Sequence, residues 1–347
     1  MNNDPELKDL PSTAAIAEAL KTLASSGQFR TLKLVTSPAY QPNFPVERVK
    51  HDVVAIVDCE ATDGSPITAR PIELGICKVA VSKQTGFIDA YLDRLSMLED
   101  PGVPSEPGAQ AAHCIPPEEL RWKTFNVDQI EQFMVGVDYC VAHNASFDRP
   151  VLLRRLRLFE SIRWACSMRE VDWNSKGCSS RALDYLLYKA DMAHAAHRAL
   201  ADAEALAALI SHSFDGQVPL LELRAAAGAH MHCVLATGAE FDAKQVMKER
   251  GYRWNPGDGS EGTYKVKCWS SPTLLSDEAL HAEVKWLAEN AYLRRNWAQK
   301  VLLAMTTGLM RHTLAVKDES LKAATSMSVG AAMDPSSAPT ALDVPRG

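Results

Sequence analysis

At 347 residues the chain has room for one sizeable domain with attachments, or for two modest domains. With 46% hydrophobic and 23% charged residues its composition is that of a globular protein, and no apolar run reaches the roughly 18 residues needed to span a bilayer. The formal net charge of −6 does not advertise affinity for a polyanion, although acids gathered around a divalent cation would bias that count. The eight cysteines stand singly with no CxxC pair, which argues against a zinc ribbon and for reduced thiols. Residues 1–10 carry Asp4, Glu6 and Asp9 and lack a basic start followed by an apolar stretch. The expectation is a cytoplasmic protein with no membrane attachment.

In chain order, residues 1–50 read as an appendage. Ser12 or Thr13 can cap a helix running to about Ser26 with Ile16, Leu20 and Leu23 on one side. A short strand at Thr31–Val35 and a Pro-containing linker at Ser37–Pro45 follow. The β-branched run Val53–Val57 is the pattern of a buried strand, and Ile72–Val81 and Phe87–Leu92 are two more, joined near Gly86. Glu99–Ala109, rich in Pro and Gly, reads as a loop. Helices are expected at Val127–Gly136, Asp148–Phe159, Ser180–Leu187 and His197–Ser211, with short strands at Tyr139–Ala142 and Ile162–Cys166. A β-meander followed by α/β alternation implies an α/β fold, a mixed central sheet flanked by helices, over residues 51–215.

Residues 231–315 read as a small α+β module followed by helices. Strands are expected at Cys233–Leu235, Tyr252–Trp254 and Thr263–Trp269, a helix at Asp242–Arg250, and a helical pattern from Asp277 to about Leu314. Within the module Lys244, Lys248, Arg250, Arg253, Lys265 and Lys267 are interleaved with Phe241, Tyr252, Trp254, Tyr264 and Trp269. That mixture suits either contact with a nucleic-acid strand or the module's own aromatic core. Residues 323–347, rich in Ala, Ser and Pro, have the composition of a disordered tail.

Three short motifs carry chemistry. In Asp58-Cys59-Glu60 strand alternation puts both carboxylates on one face and Cys59 on the other. Such a pair either reaches solvent at a strand end or is held ionised by a divalent cation. In Ala142-His143-Asn144-Ala145-Ser146-Phe147-Asp148 a strand ends in a polar turn; Asp148 is either a helix-start acid favoured by the dipole or part of a site. In His197-Arg198-Ala199-Leu200-Ala201-Asp202 the two end residues lie about 140° apart on a helix, yet both can border one cleft. His194 is a second ligand or an exposed neighbour. An oxygen-dominated donor set suits Mg²⁺ or Mn²⁺ better than zinc.

Taken in order, these motifs resemble those of the DEDDh (DnaQ-like) 3′-5′ exonuclease superfamily. Asp58-Cys59-Glu60-Ala61-Thr62 looks like D-x-E-T-T, and Pro71-Ile72-Glu73-Leu74-Gly75 like the strand that follows it. The second and third motifs match at Ala142–Asp148 and at His197–Ala203, and the whole spans about residues 52–212. Ala61 and Cys114 depart from the family's usual Thr and Gly, which implies altered substrate contact and a reshaped nucleotide pocket.

The resemblance implies a ribonuclease H-like fold and a metal-dependent exonuclease using two Mg²⁺ or Mn²⁺ ions. Asp58, Glu60, Asp148 and Asp202 would hold the ions, and His197 would take a proton from the attacking water. Thr62, Asn144 and Phe147 would contact substrate, and Arg149, Arg154, Arg155 and Arg157 would form either a phosphate-tracking face or an ordinary solvated one. The implied partner is a nucleic-acid 3′ end, DNA favoured over RNA, with replication or repair proteins as possible associates. The alternatives are an RNA exonuclease and a non-catalytic adaptor built on the same fold.

Overall fold

The structure is a computed structural model that describes residues 12–229, 231–239, 241–257, 267–271, 275, 277–292 and 301–306. The helix foreseen at the start is α1 (Thr13–Ser25), with the Ser12 hydroxyl accepting from the Ala15 amide at 3.2 Å. After a two-residue strand, β1 (Lys33–Leu34), comes the antiparallel meander β2 (His51–Ala61), β3 (Pro71–Ser82) and β4 (Ile88–Leu98). Two further strands, β5 (Tyr139–Ala142) and β6 (Arg163–Cys166), join parallel to β2, giving a five-stranded mixed sheet of order β4-β3-β2-β5-β6.

Helices cover both faces: α2 (Pro107–His113), α3 (Pro117–Leu120), α4 (Val127–Met134), α5 (Ala145–Leu153), α6 (Ser167–Glu170), α7 (Leu183–Lys189), α8 (Ala199–Ile210) and α9 (Pro219–Gly228). The two-residue β7 (Met192–Ala193) precedes α8 and pairs with β1. Alternation along β2 divides the core. Val54 and Ile56 pack with Leu206 and Leu209 of α8, whereas Ala55, Val57 and Cys59 pack with Ile130 of α4 and Leu152 of α5. The strand that carries the first motif is therefore buried on both sides, and its C-terminal tip is fixed between two helix layers.

Several expectations need correction. The presumed loop Glu99–Ala109 ends in α2, whose first residue is Pro107, a favoured helix-start position for a residue without an N–H. Cys114 caps α2 with φ 53°, the left-handed conformation that favours glycine. It is not among the residues that line the cleft described below. The helix expected at Asp148–Phe159 starts earlier, at Ala145, and gives way to a separate 3₁₀ turn at Arg157–Glu160. The helix expected from His197 starts at Ala199.

The row of arginines is not a phosphate-tracking face. Arg149 is fully buried, donates to the Phe159 carbonyl and lies over the Trp164 ring. Arg154 donates to the Pro66 and Ala69 carbonyls, and Arg155 pairs with Glu99 at 2.6 Å. Arg157 remains exposed, facing Glu160.

The C-terminal unit contains β8 (Met231–Thr237), α10 (Lys244–Glu249), β9 (Arg253–Asn255), β10 (Cys268–Ser270), α11 (Asp277–Asn290) and β11 (Val301–Thr306). Its four strands form an antiparallel sheet of order β11-β8-β10-β9. The expected helix to Leu314 is thus wrong over Val301–Thr306, which pairs with β8 instead. Tyr252 and Trp269 are buried in this unit's own core with Met247 and Leu287. Arg250 is spent on Glu283, at 2.8 Å, and on the Trp286 ring. Trp254 is exposed. Tyr264, Lys265, the expected tail at 323–347 and residues 1–11 lie outside the described residues.

One glycine governs how the layers meet. A Cβ on Gly75 of β3 would stand 2.2 Å from the carbonyl carbon of Ala199 and 2.2 Å from the Leu200 nitrogen. Only glycine lets the start of α8 sit directly on the sheet, opposite Asp58 in the register. Gly75→Ala should therefore lower the unfolding free energy by about 3 kcal/mol or more, the upper range for overpacking, as read from urea denaturation. A loss below about 0.5 kcal/mol would mean the two layers can part freely.

Candidate active site

Asp58 and Glu60 lie at the tip of β2, where a register irregularity between Glu60 and Ala61 precedes the last pair, Ala61 with Pro71. Asp202 arrives from the first turn of α8. Carboxylate oxygens of Asp58, Glu60 and Asp202 all lie within 4.8 Å of one another. Asp148, buried on α5, comes from the opposite face, and its Oδ1 accepts the Cys59 amide at 3.1 Å. Four acids separated by up to 144 positions (202 − 58) thus meet at one strand end.

They line a cleft of about 270 Å³ together with His143, Asn144, Phe147, Leu183, Asp184, His194 and His197. No lysine or arginine lines it among the described residues. Asn144 and Phe147 are where the motif placed them, on the wall. Thr62 is not: its hydroxyl accepts the Arg70 amide at 3.0 Å and donates to Asp63, so it closes the loop after β2 instead of facing the cleft.

Burial and crowding set the electrostatics. Asp58 is driven well above the usual carboxylate range by burial, then by repulsion from Asp148, Asp202, Glu60 and Glu73. Glu60 is pushed up to about 7 by burial and by Asp202, Glu73 and Asp148, with Arg198 opposing. Asp148 also rises to about 7 through burial, against the hydrogen bonds from Cys59. Acids in this state need a counter-charge to ionise together. An all-oxygen donor set fits a hard divalent cation such as Mg²⁺ or Mn²⁺.

The two histidines differ. His194 is not an exposed neighbour: its side chain is 3% exposed, and Nε2 lies 2.6 Å from Asp202 Oδ1, with Asp184 3.5 Å from Nδ1. The Asp202 hydrogen bond raises its pKa in spite of burial. His197 stands just before α8 with φ 72°, a conformation rare for a residue with a Cβ. Its amide donates to Asp202 Oδ2 at 2.9 Å while its side chain is exposed at the cleft mouth. Because His197 is not on the helix, the 140° separation expected from helical geometry does not apply.

Two supporting contacts escaped the sequence reading. Glu73, 1% exposed, accepts from the Arg198 guanidinium at 2.9 Å and from the Ala199 amide at 3.1 Å, fixing the α8 start. Its signal was present, as an acid inside an apolar strand. His143 bridges Ser167, 2.8 Å from Nδ1, and the Arg181 carbonyl, 2.8 Å from Nε2. Nε2 must donate to that carbonyl, so Nδ1 accepts from the serine; burial lowers the pKa and keeps the ring neutral.

Residues 55–210 match the family described as "Exonuclease", of RNase T type. A search of the curated proteins finds no match. Among solved structures, the nuclease domain of 3′hExo, a DEDDh family member bound to rAMP, is 17% identical with a TM-score of 0.36, over 46% of this chain and 90% of that one. Exonuclease X in complex with 5′ overhanging duplex DNA is 24% identical, TM-score 0.36, over 48% and 99%. A 3′-exonuclease recognising the histone mRNA stem-loop is 15% identical, TM-score 0.37, over 48% and 89%.

The carboxylate shifts generate a stability prediction. With Glu60 and Asp148 near 7, the native state holds more protons than the unfolded chain between the ordinary carboxylate range and about pH 7. Without divalent metal, stability should fall as pH rises through that window. Mg²⁺ or Mn²⁺ should raise the melting temperature above pH 7 and have little effect at pH 5. A metal-free melting temperature that climbs across the same window would contradict these shifts.

Proposed function

We propose, from the premise that residues 55–210 are an exonuclease domain of the DEDDh 3′-5′ family of metal-dependent phosphodiester hydrolases, that the chain trims single-stranded DNA from the 3′ end and releases nucleoside 5′-monophosphates. The observation that carries this reading is the convergence of Asp58, Glu60, Asp148 and Asp202, from three separate segments, on one cleft whose third wall bears His197.

Asp58, Glu60 and Asp202, with Asp148 behind them, would hold two divalent cations, which supply the charge that keeps the acids ionised together and polarise the phosphodiester. His197, exposed at the mouth, would take the proton of the attacking water. Its amide is held by Asp202, so the residue is tied to the helix that carries one of the acids. Water attacks phosphorus and the bond to the 3′ oxygen of the preceding nucleotide breaks, leaving a new 3′ hydroxyl. Phe147 and Leu183 give the terminal nucleoside an apolar wall, and Asn144 a single amide. A wall of this kind stacks any base, which favours removal of nucleotides regardless of sequence. Asp202 is itself bonded to His194, so its charge is partly matched before substrate arrives.

With Mg²⁺ or Mn²⁺, labelled single-stranded DNA should shorten stepwise from its 3′ end and yield mononucleotides, and EDTA should stop it. Asp58→Ala should reduce the rate at least about 100-fold. His197→Ala should lower kcat by about 10²–10⁴-fold with an unchanged melting temperature, since the ring is exposed. Matched RNA run in parallel decides the substrate: preferential digestion of RNA replaces DNA in this reading. Metal-independent shortening, or none on either strand, refutes it.

A further inference from the structure

Ahead of the exonuclease match, one described segment is bonded to the elements that border the cleft. Residues 30–41, ahead of the matched domain, run along α7, β7, α8 and β4. Arg30 donates to the Asp191 carboxylate at 2.7 Å and to the Tyr188 carbonyl at 2.8 Å, and its guanidinium lies 4.1 Å from the centre of the Tyr188 ring. A cation there also answers the exposed carbonyls at the C-terminal end of α7. β1 then pairs in parallel with β7: the Lys33 amide donates to the Asp191 carbonyl at 2.8 Å and the Val35 amide to the Ala193 carbonyl at 2.7 Å. Farther on, the Ser37 hydroxyl and the Tyr40 hydroxyl each donate to Glu204 of α8 at 2.8 Å, and the Gln41 amide donates to Tyr91 of β4.

What this segment holds is the stretch 191–198. That stretch begins at Asp191, with φ 57°, and reaches His197, with φ 72°. A short loop with two non-glycine residues in left-handed conformations is costly by itself and persists only when its surroundings determine it. Within the loop, His194 fastens to Asp202 and the His197 amide to the same carboxylate. The other end leaves α7 with the Asp191 amide on the Tyr188 carbonyl and Met192 packed on the core, and its strand pairing comes from the N-terminal segment: β7 has no other strand partner among the described residues.

We infer that residues 30–37 are a positioning strap that orders the loop bearing His194 and His197, so that the domain's proton-accepting residue depends on a segment outside the domain. The inference rests on the proposed exonuclease reading. Arg30 and Asp191 are both well exposed, 40% and 66%, so their ion pair alone is a weak fastening. The backbone pairing carries most of the hold, and a residue without an N–H tests it best.

The experiment uses the full chain as wild type, Val35→Pro, Arg30→Ala and Arg30→Lys. Two quantities are read: amide hydrogen exchange over residues 191–198, and steady-state hydrolysis of a single-stranded DNA oligonucleotide and of thymidine 5′-monophosphate p-nitrophenyl ester. The strap predicts exchange at least about 10-fold faster in Val35→Pro, with kcat down about 10-fold on both substrates and KM within about 2-fold, as for a misplaced catalytic group. Arg30→Ala should move in the same direction by less, and Arg30→Lys should recover part of it. The overall melting temperature should stay within a few degrees, because the segment lies on the surface. Unchanged exchange in Val35→Pro overturns the strap. Faster exchange with unchanged kcat overturns its role in positioning. A wild type that hydrolyses neither substrate fails the exonuclease reading on its own, and exchange still decides whether the strap orders the loop.

Discussion

Carboxylates crowd the C-terminal tip of β2, where burial and mutual repulsion oppose ionisation. Nearby features are arranged around that unfavourable place. Gly75 removes the side chain that would keep α8 away, and Glu73 with Arg198 fastens the α8 start so that Asp202 falls beside Asp58. On the other face the Cys59 amide holds Asp148. A fold selected for stability alone would separate these groups; here the layers are brought closer to bring them together. A divalent cation would turn the arrangement from a cost into a site.

The same constraint accounts for where strain is found. His197 precedes α8 in a left-handed conformation because its amide must reach Asp202 while its ring stays at the mouth. Had the helix continued back to His197, the histidine would have been turned away from the acids. The backbone cost at this residue is met by the contacts on either side of it.

The strand pattern, and the placing of Asp58 and Glu60 on one strand face, were legible in the sequence because they rest on local periodicity. Alternation alone puts Asp58 and Glu60 on one face of β2, and the order of strands and helices gave the mixed sheet. The identities of Asp148 and Asp202 came from motif resemblance, which carries no geometry. What was not legible depends on contacts between distant segments. No local rule says that Arg149 turns inward under Trp164, that Thr62 closes its own loop, or that His194 pairs with Asp202. Val301–Thr306 has the apolar content of a helix or a strand, and its antiparallel pairing with β8 decides between them. Gly75 did leave a trace, as a glycine inside an otherwise β-branched and apolar run, which signals close approach of another backbone.

The four acids are proposed to form a divalent-cation site in which burial keeps Asp58, Glu60 and Asp148 partly protonated until the cation binds. Calorimetric titration of the full chain with Mn²⁺ near pH 7, repeated in two buffers of different ionisation enthalpy, tests it directly. The account predicts saturable binding accompanied by release of about one proton or more, and loss of both in Asp58→Asn. Binding without proton release, or binding that survives Asp58→Asn unchanged, would contradict it.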